Sequence, residues 1–75
     1  MTKFYHNGLH EGARVEIVAV PYRQADKRIS LIGLTGTIRR ESPTGALNWD
    51  VELDFPLRDG RKFLWFSTWE LHEVR

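Results

Sequence analysis

The stretch "NWDVELD" (48–54) places three carboxylates, Asp50, Glu52 and Asp54, at every second position. In an extended strand such neighbours point the same way and stand about 6.5–7 Å apart. That spacing suits two chemistries: a row of oxygens around a cation, or a pair of carboxylates flanking a glycosidic bond. Each needs help that the stretch does not supply, because His6, His10 and His72 all fall elsewhere. The predicted reading is an acidic strand face turned to water, forming cross-strand ion pairs with Arg39 or Arg40 on a neighbouring strand. His6 and His10 have the i, i+4 spacing of a helical metal pair, but Asn7-Gly8 between them argues against a helix, so no metal site is expected. Ser30, Ser42 and Ser67 lie in turns or at element boundaries, with no nucleophile elbow around them. Cysteine is absent, which removes disulfides, thiolate zinc sites and thiol catalysis. The sequence therefore predicts neither an enzyme nor a cofactor, and no small-molecule substrate.

The basic and aromatic residues carry more. Between positions 23 and 40, Arg23, Lys27, Arg28, Arg39 and Arg40 face Asp26 alone; Arg58, Arg61 and Lys62 form a second group. There are nine aromatics in 75 residues, and the alternation in "FLWF" sends Phe63 and Trp65 to one face, Leu64 and Phe66 to the other. Leu64 and Phe66 are the expected core pair. Two binding readings follow. In the first, Tyr22, Arg23, Phe63, Trp65 and Trp69 form a protein-docking surface, since aromatics and arginine concentrate where proteins meet. In the second, Arg23, Lys27, Arg28, Arg39 and Arg40 bind nucleic acid, with Trp65 or Tyr22 as a stacking platform. A formal charge of +1 and a pI of about 8.2 do not force the second. The N-terminal "KFYHNGL" offers Phe4, Tyr5 and Leu9 as a cover for the same aromatic face. No apolar run reaches the roughly 20 residues that span a membrane, and "MTKFYHNGLHEG" has no apolar leader core, so the expected compartment is the cytoplasm.

These residues must be held by short strands. Positions 13–20 alternate at first, Val15 and Ile17 against Arg14 and Glu16, and Pro21 ends the ladder. Positions 21–32 read as a long polar loop, and a loop of that length in a small domain asks for a role. Gly33 and Gly36 bracket the entry to "TGTIRRE", where Ile38 faces inward and Arg39 outward; a sharp barrel bend would need both glycines. "SPTG" and Asp59-Gly60 are turns, "KFLWFS" is a strand, "STWEL" holds one 3-10 turn, and "LHEVR" closes as a last strand. The predicted core is Val15, Ile17, Leu34, Ile38, Trp49, Val51, Leu53, Leu64, Phe66 and Leu71. Five short strands separated by turn signals predict a small all-β barrel.

The order of these pieces resembles the SH3-like barrel. "EGARVEI" followed by "GLTGTI" looks like the KOW motif of ribosomal and transcription-elongation proteins. "VELD" followed by "FSTWELHEV" looks more like the variable chain of ferredoxin–thioredoxin reductase and the E subunit of photosystem I. The resemblance covers 11–74. It implies a five-stranded barrel with a long loop after the first strand, a single helical turn before the last, and no catalytic residues. Residues 21–32 intervene where a KOW module has only a few, which favours the photosynthetic-accessory type of barrel or an unrelated protein that shares it. The expected organisation is an N-terminal segment over 1–10, possible cover for the barrel, and an SH3-like barrel over 11–75. The expected function is a non-catalytic protein-binding module, a small accessory subunit or factor docking on a larger protein. The alternative is a nucleic-acid-binding KOW/SH3-like domain with a basic face.

Overall fold

A computed structural model describes residues 9–20, 29–43 and 48–74. The chain is all-β, as the turn spacing predicts. Strands β1 (Arg14–Ile17), β2 (Thr35–Glu41), β3 (Asn48–Leu53), β4 (Phe63–Ser67) and β5 (Leu71–Glu73) form one sheet, with the expected 3-10 turn at Thr68–Glu70 and a further one at Ile29–Leu31. All pairings are antiparallel and the order is β4-β3-β2-β1-β5.

The sheet is not closed into a barrel, which corrects the expectation of closure. β4 and β5 are its two edges, and no ladder joins them. The 3-10 turn begins directly after Ser67 and β5 pairs only with β1, so the short last strand has no register left for β4. The edges are instead linked by the turn and by packing, since Phe66 of β4 and Leu71 of β5 join the same buried cluster.

Alternation sets the inner face. Val15 and Ile17 of β1, Ile38 of β2, Trp49, Val51 and Leu53 of β3, Phe66 and Leu71 are all buried. Trp49 can be buried because its indole N–H donates to Thr68 Oγ1 at 2.9 Å. Leu9, Ala13 and Leu31 complete the cluster, and Val20, Leu57 and Leu64 pack against it partly buried. Leu34, expected in the core, is exposed. The turn at Ile29–Leu31 delivers Leu31 inward instead, and the Leu34 backbone sits at the loop base, where its carbonyl accepts from Ile17 N–H at 2.9 Å. Gly33 N–H donates to Ile17 O at 2.8 Å on the same side, so the excursion over 18–32 is pinched at its ends. β1 also stops earlier than position 20: Val18 is exposed and its N–H turns to Glu70 O at 2.8 Å.

The two glycines do different jobs. Gly33 has φ +96° and makes the turn into β2. Gly36 is a buried strand residue opposite Val15 and Leu53, where β3 passes too close for a side chain.

Candidate functional site

β2 carries the irregularity that builds the outer face. Strict alternation after the inward Ile38 would send Arg39 out and Arg40 into the core, where an unpaired guanidinium is costly. A β-bulge prevents this. Ile38 is opposite Val51 and Arg40 is opposite Asp50, so two steps on β2 match one on β3. Arg39 and Arg40 are thereby both exposed.

Across the outer face of β1 to β4, including Asp54 just past β3, the side chains then form rungs. In the first, Arg40 is opposite Asp50 and Asp50 is opposite Trp65. The Arg40 Nε lies 3.5 Å from Asp50 Oδ2, and its guanidinium sits 5.4 Å from the Trp65 ring centroid, within cation–π range. In the second, Glu52 stands between Thr37 and Phe63. Its carboxylate takes Arg39 Nε at 2.7 Å and Lys62 Nζ at 3.3 Å. In the third, Asp54 accepts from Arg14 Nη1 and Nη2 at 2.6 and 2.7 Å and from Thr35 Oγ1 at 2.5 Å. The acidic row therefore forms the cross-strand ion pairs expected of it.

The electrostatics follow the contacts. The Arg14 fork, then the Thr35 hydroxyl, holds the Asp54 carboxyl well below the usual carboxylate range, and Asp54 in turn raises Arg14. Arg39 and then Lys62 lower Glu52. In the loop between β3 and β4, the Arg61 backbone N–H, followed by its side chain, lowers Asp59. Fixed as bases of ion pairs, these carboxylates are poorly placed to exchange protons with a substrate. Among the described residues no group of three or more His, Cys, Asp or Glu is arranged to hold a metal ion. No described helix is long and apolar enough to cross a membrane.

Phe63 and Trp65 are on the outer face of the edge strand β4, 53% and 42% exposed, as the alternation predicted. Trp69 is 57% exposed on the 3-10 turn beyond the end of β4. Of the other candidate residues, Arg39 and Arg40 join Phe63 and Trp65 on one surface. Tyr22, Arg23, Lys27 and Arg28 lie outside the described residues, as does any cover from 1–8. Three features escaped sequence reasoning, the first two being the stacking of Arg40 on Trp65 and the exposed Phe55 just past β3. Two consecutive arginines directly after an inward isoleucine are the signal that the period of two breaks there. The third is Glu70, which is buried; its Oε1 accepts from Ser67 N–H at 2.6 Å and its Oε2 has no hydrogen-bond partner among the described residues. The spacing Ser67-x-x-Glu70 is that of a capping box and announces this bond.

Compared with known protein families, curated proteins and solved structures, the chain matches none.

Proposed function

We propose that the chain is a non-catalytic protein-binding module of the SH3-like type, a small accessory subunit or factor. It docks on a larger protein through the outer face of β2, β3 and β4. The observation that carries this reading is the pair Phe63 and Trp65, exposed side by side on an edge strand with Arg40 laid over Trp65. Aromatics flanked by an aromatic-stacked arginine are the composition of interface hot spots. The strand order, with the last strand beside the first and a 3-10 turn before it, supports the SH3-like assignment. Trp69 extends the surface in this reading, which also names Tyr22 and Arg23, outside the described residues.

The nucleic-acid reading finds less support. Its two described arginines already face Asp50 and Glu52, and a polyanion would meet those carboxylates on approach. The reading then rests on Arg23, Lys27 and Arg28 alone.

The test is affinity capture with the tagged full chain, with and without nuclease, comparing wild type with Phe63→Ala and Trp65→Ala. Both variants should keep the wild-type circular dichroism spectrum and lose a protein partner that survives nuclease. Partners retained by both folded variants, or lost only to nuclease, would overturn the docking reading.

A further inference from the structure

We infer that the Arg39–Arg40 bulge recognises a carboxylate on the docking partner, so that the contacting segment is acidic with an apolar residue beside the acid. This inference rests on the protein-binding reading and names the chemistry of its partner.

Arg14 provides the contrast. Both of its terminal nitrogens are used within the fold, bonded to Asp54, with Nη1 also reaching Thr37 Oγ1 at 3.0 Å. Arg39 and Arg40 are placed differently: Arg39 donates its Nε to Glu52 at 2.7 Å, Arg40 has its Nε in a looser ion pair 3.5 Å from Asp50, and their Nη nitrogens have no hydrogen-bond partner among the described residues. An arginine gripped at Nε keeps the end of its planar fork for a second acceptor, and a carboxylate matches that fork with two parallel bonds. The grip also removes rotamer freedom before binding, which lowers the cost of immobilising a long side chain. Trp65 does the same for Arg40 from the side.

Charge balance selects a modest anion. Arg39, Arg40 and Lys62 stand against Asp50 and Glu52 on this part of the face, which leaves an excess of one positive charge. One carboxylate satisfies that excess. A phosphate chain brings a charge at every nucleotide and would be repelled by Asp50 and Glu52 once the first was met. The flanking Phe63 and Trp65 favour an apolar neighbour over a second charge. The bulge itself fits this role: it turns both arginines to one side of a strand that otherwise alternates, and bulges re-aim side chains at functional sites.

The probe is a pair of short synthetic peptides that alternate leucine with glutamate in one and with glutamine in the other. Each is titrated into the isotope-labelled full chain and followed by the Arg Nε–H and Trp indole NMR signals. The acidic peptide should shift Arg39, Arg40 and Trp65 and bind at least about tenfold more tightly than the amide peptide, since only a carboxylate matches the guanidinium fork with two charge-assisted bonds. The double variant Arg39→Lys/Arg40→Lys keeps the charge and loses the forks; it should erase most of that difference, whereas Arg58→Gln, on the loop after β3, should leave it unchanged. Equal binding of the two peptides to this face would overturn the carboxylate inference and leave docking intact. An acidic peptide that shifts other residues, or fails to bind at about 1 mM, would overturn it too. So would a thymidine oligonucleotide that shifts the same signals at lower concentration than the acidic peptide. The docking reading is decided separately, by the capture experiment with Phe63→Ala and Trp65→Ala.

Discussion

Gly36→Ala is the sharpest perturbation of the frame that holds this face. A Cβ at Gly36 would lie 2.5 Å from the Glu52 carbonyl oxygen, 2.8 Å from Val51 Cγ1 and 3.1 Å from the Glu52 carbonyl carbon. Carbon–carbonyl oxygen contacts settle at about 3.3–3.6 Å, so the β3 backbone must withdraw by about 0.8 Å or more. A rotamer change cannot help, because the nearest atom is main chain. The withdrawal pulls on the neighbouring bond from Asp54 N–H to Thr35 O, now 3.0 Å. Overpacking of this kind costs about 1–3 kcal/mol, and a weakened ladder bond adds about 0.5–1.5 kcal/mol. A loss of about 2–4 kcal/mol is large against the roughly 4–11 kcal/mol available to a chain of this size.

Urea unfolding followed by tryptophan fluorescence reads this directly. With a slope of about 1 kcal/mol per molar, the midpoint should fall by about 2 M or more. Adding Val51→Ala removes the Cγ1 contact but not the one to Glu52 O, so the double variant should recover none of the Gly36→Ala loss. Gly33→Ala separates the two glycines: nothing lies within 4 Å of its Cβ position, and only the φ of +96° opposes it, for about 1–2 kcal/mol. A Gly36→Ala stability within about 0.5 kcal/mol of wild type would refute the close approach of β3 to β2.

Two further expectations concern the polar framework. Because the fold holds Asp54, Glu52 and Asp59 below their ordinary values of 3.8 to 4.5, it favours their ionised forms; the stability they contribute is present above that range and is lost as pH falls through it toward the depressed folded values. Thermal midpoints should therefore drop between about pH 5 and pH 2, and less steeply in Asp54→Asn; a wild-type midpoint flat across that window would count against the ion-pair rungs. Thr68→Val, which keeps shape but removes the acceptor of the buried Trp49 N–H, should cost about 1–3 kcal/mol in chemical denaturation, and a neutral result would mean that the indole finds another acceptor.

The legible parts of the fold were those that a period of two dictates. Val15 and Ile17, the inner row of β3, and the opposed faces of β4 all follow from alternation. The illegible parts are where the chain leaves that period. Leu31 and Leu34 are three residues apart, and only the turn at Ile29–Leu31 decides which enters the core. Leu9 and Ala13 precede the first strand, where no pattern marks them as buried. Closure is not legible because hydrophobic pattern reports which face is inside, while a ladder between β4 and β5 depends on how much strand remains after the turn.

The outer face shows why counts of basic residues were a weak guide to a partner. Arg14, Arg39 and Arg40 each stand against a carboxylate: Asp54, just past β3, for Arg14, and Glu52 and Asp50 of β3 for Arg39 and Arg40. The distinction that remains among them is geometric. Arg14 gives both Nη nitrogens to Asp54, a closed bidentate pair that belongs to the frame. Arg39 is hydrogen-bonded to Glu52 at Nε, and Arg40, turned outward by the bulge, has its Nε 3.5 Å from Asp50. A one-residue slip of register therefore brings a second arginine, Arg40, to the outer face beside Arg39, and the Phe63–Trp65 edge lies beside both.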